Sequence, residues 1–453
     1  MQVAIFAAGE GKRMRSARPK ALHRLAGIPL LAHVIHAVRA IEPRAIGVVY
    51  GSGGEQVPAA LPGSDLTWVR QEQLLGTGDA LKCALAQMPK DGVTLALIGD
   101  LPLIRPGTLA HLAAAVDGDK LAVLTAKPSD PAGLGRIVRD GAGRVRAIVE
   151  HRDASVEQLA IGEINAGALA APTARFTDWL ARLTSHNAQG EYYLTDVVAL
   201  AVSDGVEVVA VVAGDPVEAQ GINDRAQLAL AERALQRRAA DALLGDGVTL
   251  ADPARIDVRG TLHCGRDVAI DINCIFEGTV TLGDAVTIGA HCVFNNVKIG
   301  AGSVVAPFSH LEDAAIGERC RIGPYARIRP ATVLADEVHI GNFVEIKASA
   351  IGERSKANHL AYIGDASVGR DVNVGAGTIT CNYDGANKHR TVIEDDVHIG
   401  SDTQLIAPVT VRKGATIGAG ATISREVPAG GLTISQNKQV TVTGWKRPVK
   451  ARG

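Results

Sequence analysis

The sequence predicts two folds in series: an α/β domain with a largely parallel sheet, then a parallel β-helix built from six-residue repeats. Up to about residue 220, short apolar runs alternate with helix-like segments, which is the pattern of an α/β sheet. After about residue 248, aliphatic residues recur every six positions. A period of six matches neither the 3.6-residue stripe of a helix nor the alternation of ordinary strands. It is typical of the hexapeptide β-helix.

Five apolar runs are predicted to form buried strands of the first domain: 3–6, 46–50, 93–98, 121–124 and 206–212. Sheets of this kind bind ligands beyond the carboxyl ends of their strands. The turn through Gly9 and Gly11 follows the first run, and Asp100 follows the third. Both features therefore lie where a ligand is expected.

The opening loop has the composition of a phosphate site. Residues 3–20 read VAIFAAGEGKRMRSARPK, a glycine-rich bend followed by five cations. Bare backbone N–H groups and basic side chains can converge on one anion. Neither the P-loop motif nor the dinucleotide fingerprint is present. Asp100 offers a hard oxygen ligand for Mg²⁺, and Asn223 offers a carboxamide oxygen. Ordinary turns have the same composition, so these residues alone leave the nucleotide hypothesis open.

A helix is predicted between the two domains. Residues 223–244 carry apolar side chains at 228, 231, 235, 239 and 242, the spacing of a helical stripe. Asp224 and Gln227 have the spacing of a capping box. The predicted organisation is a first domain over 1–222, a linker helix over 223–247 and a β-helix with a C-terminal arm over 248–453.

Two uninterrupted series of hexads define the second domain. Their aliphatic residues are Ile316, Ile322, Ile328, Leu334, Ile340 and Ile346, then Ile393, Ile399, Leu405, Val411, Ile417 and Ile423. Eighteen residues make one triangular coil, so the span from 250 to 423 predicts about ten coils. Steps of five residues predict irregular turns, and the interruption between Thr380 and Ile393 predicts a loop.

Composition excludes several classes of protein. The 453 residues carry a net charge of −1, which argues against a protein that coats nucleic acid. The six cysteines include no C-x-x-C pair, so we expect free thiols rather than a zinc cage or a disulfide framework. No apolar run approaches a membrane span, and the N-terminal residues do not resemble a signal peptide. We therefore expect a cytoplasmic protein.

Seven short motifs in the first domain occur together: AAGEGKRM at 7–14, QEQLLGTGDA at 71–80, LIGDLPLI at 97–104, GLGRIVR at 133–139, IVEHRDA at 148–154, EINAG at 163–167 and EAQGIND at 218–224. They resemble the sugar-phosphate nucleotidyltransferase domain. With the hexads behind them, nearly the whole chain resembles the bacterial bifunctional N-acetylglucosamine-1-phosphate uridyltransferase and glucosamine-1-phosphate acetyltransferase family. The resemblance implies a Rossmann-like nucleotidyltransferase domain followed by a left-handed β-helix.

For the first domain the resemblance also implies site residues. They are Phe6, Ala7, Ala8, Gly9, Gln71, Gly76 and Thr77 for uridine, Arg13 and Lys20 for the phosphates, Gly135, Glu150 and Asn165 for the sugar, and Asp100 and Asn223 for Mg²⁺ at the UTP site. Three positions depart from the family's usual sequence: Glu10, Lys12, where Thr or Ser is common, and Asp79, where His is common. These departures affect the fine detail of phosphate binding and leave the implied reaction unchanged.

For the second domain the resemblance rests on five stretches: RIRP at 327–330, FVEIKAS at 343–349, KANHLAYIGDA at 356–366, NVGAGTITCNYDGANKHRT at 373–391 and GSDTQLIAP at 400–408. It implies His359 as the general base, a role that suits a histidine of ordinary pKa, although a lone His in a turn is usually only exposed. The implied glucosamine-1-phosphate residues are Arg329, Lys347, Tyr362 and Asn373, and the implied acetyl-CoA residues are Ala376, Asn382, Tyr383, Ser401, Ala419 and Gln436. Gln436 stands where the family commonly has Arg, with Lys438 two residues on, and the basic tail over 445–450 resembles the family's C-terminal arm.

The implied activity is the synthesis of UDP-N-acetylglucosamine, a precursor of peptidoglycan and lipopolysaccharide, from glucosamine-1-phosphate, acetyl-CoA and UTP by a homotrimer. One alternative is a single-activity nucleotidyltransferase with a structural or regulatory β-helix. Another is a scaffold without activity, which the presence of Lys20, Asp100 and His359 disfavours. A β-helix carbonic anhydrase needs a closely spaced His pair, and the sequence of the second half offers none.

Overall fold

The protein is described by a computed structural model that covers residues 1–9, 11–51, 56–435 and 439–447. The chain forms two compact units, Met1–Leu235 and Gln236–Gly453. Glu10, Gln436, Lys438 and the end of the basic tail at 448–450 lie outside the described residues.

The first unit is an α/β domain. Its strands are β1 (Gln2–Phe6), β2 (Arg24–Leu25), β3 (Ile28–Pro29), β4 (Ile46–Tyr50), β5 (Leu66–Arg70), β6 (Val93–Ile98), β7 (Leu121–Ala126), β8 (Arg136–Arg139), β9 (Val145–Val149), β10 (Ile164–Pro172) and β11 (Val208–Val212). The helices of the chain are α1 (Leu30–Arg39), α2 (Gln56–Ala60), α3 (Thr77–Gln87), α4 (Pro106–Ala114), α5 (Val156–Leu159), α6 (Thr173–Arg182), α7 (Val197–Ser203) and α8 (Arg225–Gly245). Short 3-10 turns cover Lys12–Met14, Lys20–Leu22, Leu194–Asp196 and Pro216–Ala219.

The main sheet has the order β11-β7-β10-β6-β1-β4-β5. All neighbours on this path are parallel except β10, which runs antiparallel to β6 and β7 and also pairs with β8. Every residue of β1 and of β4 is buried, as expected for central strands covered by helices on both faces. The five predicted strands are present, with β11 beginning at Val208 rather than at 206.

The antiparallel strand β10 was not among the predicted strands. Its sequence INAGALAAP contains four alanines with one asparagine, one glycine and one proline, all of which are depleted in strands. Tertiary pairing with β6 and β7 therefore decides its conformation.

Helix α8 begins at Arg225 with the predicted capping residues in place. Asp224 Oδ1 accepts a hydrogen bond from the backbone N–H of Gln227 at 2.8 Å. The Gln227 side-chain oxygen in turn accepts from the N–H of Asn223 at 2.7 Å. The second bond reaches Asn223 rather than Asp224, one residue before the position of a standard capping box, and it fixes the backbone at Asn223, one of the predicted metal ligands.

The second unit is a stack of short parallel strands. They are β12 (Thr249–Leu250), β13 (Ile256–Cys264), β14 (Ala269–Ile270), β15 (Cys274–Leu282), β16 (Thr287–Ile288), β17 (Val293–Ile299), β18 (Val304–Val305), β19 (His310–Ile316), β20 (Arg321–Ile322), β21 (Arg327–Ile328), β22 (Thr332–Leu334), β23 (His339–Asn342), β24 (Glu345–Lys347), β25 (Ala350–Ile351), β26 (Lys356–His359), β27 (Tyr362–Gly364), β28 (Ala366–Val368), β29 (Asn373–Val374), β30 (Ile379–Cys381), β31 (Thr391–Ile393), β32 (His398–Ile399), β33 (Gln404–Ile406), β34 (Val409–Val411), β35 (Thr416–Ile417), β36 (Thr422–Ile423) and β37 (Leu432–Thr433).

These strands form the faces of a parallel β-helix. One face is an eleven-stranded sheet that runs from β12 to β37, in line with the predicted ten or so coils. The first part of β19 pairs with β21 and its last part pairs with β22, so the long early strands turn a corner and later coils divide into two faces. The predicted succession of an α/β domain and a hexapeptide β-helix is confirmed.

Aliphatic side chains stack from coil to coil inside the prism. In the first face the paired residues include Ile288, Val305, Ile322 and Ile340, each 17 or 18 residues after the last. The step from Val374 to Ile399 is longer because the predicted loop lies within it. Burial of these stacked residues is the main source of stability in a solenoid of this kind.

Phe294→Ala is expected to destabilise the second unit strongly. Phe276 and Phe294 are buried and stacked, with ring centroids 5.1 Å apart. Removing a buried aromatic ring costs about 3–5 kcal/mol of the free energy of unfolding, because the surrounding coils cannot close the cavity. A urea titration followed by circular dichroism measures this loss. Val333→Ala, at a half-exposed site, is the control, and equal midpoints for the two variants would contradict the prediction.

No helix among the described residues combines the length and apolar character needed to cross a membrane.

Candidate active sites

A cavity of about 590 Å³ opens at the carboxyl ends of the strands in the first unit. Eleven of the residues predicted for uridine, phosphate and metal line it: Phe6, Ala7, Ala8, Gly9, Arg13, Lys20, Gln71, Gly76, Thr77, Asp100 and Asn223. The lining also includes Gly11, Lys12, Leu74 and Glu191, which were not predicted as ligand residues.

Two glycine positions shape this cavity. The N–H of Gly99 donates to the Phe6 carbonyl at 2.8 Å, and a Cβ on Gly99 would lie 2.9 Å from that oxygen. Gly76, before α3, has a φ of +108, and a Cβ there would lie 2.7 Å from the Tyr192 carbonyl oxygen. Both positions therefore require glycine, because a neighbouring backbone carbonyl occupies the space that a Cβ atom would need.

Lys20, Asp100 and Asn223 meet on one side of the cavity. The Lys20 ammonium donates to Asp100 Oδ2 at 2.5 Å and to Asn223 Oδ1 at 3.1 Å. Asp100 Oδ1 is buried and has no hydrogen-bond partner among the described residues. The Lys20 ammonium is therefore shared by Asp100 Oδ2 and Asn223 Oδ1, while Asp100 Oδ1 has no hydrogen-bond partner among the described residues.

This donor set fits a hard divalent cation. Mg²⁺ takes oxygen ligands, commonly one or two carboxylates together with substrate phosphates and water. Asp100 and Asn223 supply such oxygens, and the unpaired Asp100 Oδ1 is a buried acceptor that a bound cation would satisfy. Among the described residues there is no cluster of three or more His, Cys, Asp or Glu side chains, so a site made of protein ligands alone is not seen there.

The three residues predicted for the sugar do not line the cavity, but they lie together. The Asn165 N–H donates to the Gly135 carbonyl at 2.8 Å, and a Cβ on Gly135 would lie 3.4 Å from both carboxylate oxygens of Glu150. Glu150 Oε1 accepts from the Thr195 hydroxyl at 3.0 Å. Burial raises the pKa of Glu150. Thr195 was missed by the sequence analysis because its role depends on this long-range contact.

Three cations gather on one face of the β-helix. Arg329 pairs with Glu345 at 2.7 Å, and Lys347 pairs with Asp365 at 3.4 Å. Lys388 was not predicted, yet it contacts Lys347, and this contact lowers the pKa of Lys388; the charge of Arg329 acts in the same direction. Glu345 and Asp365 offset two of the three positive charges, so the cluster keeps a net positive charge that suits an anion.

Lys388 is brought to this face by the predicted loop. A short antiparallel bridge joins Tyr383 to Lys388, and the N–H of His389 donates to the Asn382 carbonyl at 2.8 Å. The Asn382 amide donates to Asp365 and, at 3.4 Å, to the Tyr362 hydroxyl. The loop is therefore a hairpin whose base is tied to the strand that carries Tyr362.

His359 ends β26 at a corner of the prism, where its side chain is exposed. Its Nδ1 lies 3.1 Å from Asn342 Oδ1, on the preceding coil. Ala357 pairs with Val374, so two residues further along each coil, at the corner, His359 is followed on the next coil by Ala376. We call the set of residues stacked at this corner the corner column. The following pairs continue the column through Ser401 and Ala419.

Asn373 lies on the face beside this corner. It is exposed and pairs in register with Lys356 and His398 on the neighbouring coils.

Known sequence families match most of the chain. The MobA-like NTP transferase domain matches residues 3–247, the GMPPB C-terminal domain matches 258–351, and the bacterial transferase hexapeptide matches 390–425. Bifunctional protein GlmU of Aromatoleum aromaticum is 58% identical over 452 residues, covering 100% of this chain and 99% of that protein. The GlmU proteins of Chromobacterium violaceum and of Azoarcus sp. are each 57% identical, covering 100% of this chain and 99% and 100% of their own lengths.

The chain belongs to the bifunctional GlmU family. It is therefore a bifunctional transferase with uridyltransferase and acetyltransferase activities, and it acts in the synthesis of cell-wall precursors. Full-length identity to GlmU proteins favours the two-activity hypothesis over the single-activity and scaffold alternatives.

Several residues of this GlmU family member were missed because their placement depends on tertiary contacts. Asp365 and Lys388 lie inside the quoted motifs and break the hexad pattern, so their charges were a usable signal. Asn342 and Glu191 gave no comparable signal, since half-buried polar residues at the end of a strand or in a bend are common.

Proposed function

We propose that the second unit transfers the acetyl group of acetyl-CoA to the amine of glucosamine-1-phosphate. The first unit then transfers the uridylyl group of UTP to N-acetylglucosamine-1-phosphate and releases pyrophosphate. The observation that carries this assignment of residues is the meeting of Lys20, Asp100 and Asn223 in a cavity that the predicted uridine residues also line.

The uridylyl transfer needs positioning and charge neutralisation more than proton transfer. A phosphate oxygen of the sugar phosphate attacks the α-phosphorus of UTP, and the bond from that phosphorus to the pyrophosphate leaving group breaks. The attacking oxygen is already anionic, so no general base is required. Asp100 and Asn223 would hold Mg²⁺, which when bound neutralises charge at the phosphates.

Lys20 and Arg13 would supply fixed positive charge in the same cavity. The Lys20 ammonium lies between Asp100 and Asn223, so it balances the half-buried carboxylate, and it would face the phosphates of bound UTP. Phe6 and Gly9, at the end of β1, would form the wall against the nucleoside. Glu150 and its neighbours would hold the sugar.

The acetyl transfer needs a base for one proton. The amine nitrogen bonds to the thioester carbon, the carbon–sulfur bond breaks, and coenzyme A leaves as the thiol. Asn342 Oδ1 lies 3.1 Å from Nδ1 of His359, and in the tautomer in which Nδ1 donates to it, Nε2 is the acceptor that would take the proton of the amine. Ala376, Ser401 and Ala419 continue the corner from His359, which supports an acetyl-CoA path along it.

Lys388→Met is expected to raise KM for glucosamine-1-phosphate about tenfold or more, since a hydrogen bond to a charged group is worth roughly 1.5–3 kcal/mol. Arg329 and Lys347 take matching positions on adjacent coils, and Lys388 contacts Lys347, so the three would share the sugar's phosphate. The measurement is thiol release against sugar concentration. Lys298→Met, on an exposed lysine of the same β-helix, is the matched control. An unchanged KM for Lys388→Met would contradict the shared phosphate site.

The remaining proposals concern assembly and location. A homotrimer is supported by the family resemblance and by the flat faces of the prism, which suit cyclic packing. A cytoplasmic location is supported by six cysteines that are all free. Equilibrium sedimentation of the purified chain tests the trimer.

A coupled reaction tests the proposed function. Purified protein is incubated with acetyl-CoA, glucosamine-1-phosphate, UTP and MgCl₂, and thiol, pyrophosphate and UDP-sugar are followed together. We expect thiol release before pyrophosphate release, and no pyrophosphate when acetyl-CoA is left out. Pyrophosphate release from added N-acetylglucosamine-1-phosphate without any thiol release from glucosamine-1-phosphate would indicate the single-activity alternative instead.

A further inference from the structure

The side-chain amide of Gln71 is held in one orientation inside the nucleotide cavity. Gln71 lines the cavity and is 4% exposed. Its Nε2 donates to the Gly76 carbonyl at 3.2 Å and to Asp79 Oδ2 at 2.7 Å. An NH₂ group has two hydrogens, and both are used by these two acceptors.

Chemistry excludes the reversed orientation. A carbonyl and a carboxylate only accept hydrogen bonds, so a flipped amide would place Gln71 Oε1 against two other oxygens. Asp79 is the stronger determinant of the two, because its bond is shorter and its acceptor is charged. With Asp79 in place, the amide can meet a ligand only through Oε1, which is an acceptor.

An acceptor at this point discriminates between nucleobases. Uracil presents N3–H, a donor, on its Watson–Crick edge, whereas cytosine presents N3 as an acceptor. An oxygen facing that edge would bind uracil and repel cytosine, and an amide that could rotate would lose this distinction. We propose that Asp79 is a specificity-determining residue, which selects UTP over CTP by fixing Gln71 with its oxygen toward the base.

This inference rests on the proposed uridylyl transfer, and it assigns a role to a position where the chain departs from its family's usual histidine. Asp79 also lies in the first turn of α3, where a negative charge stabilises the helix. The experiment must therefore distinguish two roles of Asp79: holding the Gln71 amide in one orientation and stabilising helix α3.

The test compares kcat/KM for UTP and CTP, with N-acetylglucosamine-1-phosphate and MgCl₂, in the full chain and in two variants. Asp79→Ala removes the acceptor and keeps a strong helix former. We expect the UTP-to-CTP ratio to fall about tenfold or more, with the rate for CTP rising while that for UTP falls. Asp79→Glu keeps a carboxylate, which can only accept hydrogen bonds and so still excludes the flipped amide, and most of the ratio is expected to return.

The two roles predict different changes in the rates for UTP and CTP. A role in helix support alone would lower both rates together and would leave their ratio unchanged, which would overturn the inference. So would an unchanged ratio in a folded Asp79→Ala protein, with folding judged by circular dichroism. If Asp79→Ala does not fold, Asp79→Leu, which fills a similar volume, is measured in its place. A wild-type protein without UTP turnover would refute the proposed function itself, and that result is distinct from either of these.

Discussion

Asp100→Ala is expected to lower Mg²⁺-dependent pyrophosphate release at least about 100-fold, because loss of even an outer-shell partner of a metal ligand costs 10–100-fold. Asp100 supplies the carboxylate of the proposed metal site, and one of its oxygens is buried without a partner. Its removal also leaves the Lys20 ammonium with Asn223 alone. Acetyl transfer is expected to stay within about twofold, since the substitution lies far along the chain from the residues of that site.

The measurement is pyrophosphate release from UTP and N-acetylglucosamine-1-phosphate over a range of MgCl₂ concentrations, with thiol release from acetyl-CoA followed in parallel. Asp119→Ala removes an exposed carboxylate of the same unit that pairs with Arg175, and it should leave both rates unchanged. Loss of both activities in a folded Asp100→Ala protein would contradict the division of labour between the two units.

The architecture of the second unit could be predicted from sequence because a β-helix repeats its constraint on every coil. Most inward positions carry an aliphatic side chain, so the six-residue period recurs along the whole domain. The antiparallel β10 lacks such a signal, since its pairing with β6 and β7 is set by partners distant in sequence.

For the two sites, the sequence indicates individual residues but not the contacts between them. Lys20, Asp100 and Asn223 could each be picked out, because each follows a strand or lies in a motif that the family shares. Their shared hydrogen bonds could not be predicted, as they join residues 80 and 203 positions apart. Lys388 reaches its neighbours only because the loop forms a hairpin. The sequence alone does not indicate which face of the β-helix that hairpin contacts.

His359→Ala is expected to lower acetyl transfer by about 10²–10⁴-fold, the usual contribution of a positioned general base. The imidazole is exposed at a corner of the β-helix, and Asn342 faces its Nδ1. The variant should bind glucosamine-1-phosphate nearly as well as the wild type, because the phosphate is assigned to Arg329, Lys347 and Lys388. Thiol release from acetyl-CoA measures the loss, and uridylyl transfer should be unaffected.

Adding imidazole to the His359→Ala variant distinguishes loss of a general base from loss of a structural contact. If His359 accepts the proton of the amine, a soluble imidazole can enter the space left by alanine and restore part of the rate, more so as the pH rises and its neutral form increases. If His359 only shapes the surface, imidazole has no proton to accept and the rate stays low. His263→Ala, at another exposed histidine of the β-helix, should neither lose activity nor respond to imidazole. Restoration therefore identifies proton transfer as the role of this side chain, and its absence in a folded variant would remove His359 from the mechanism.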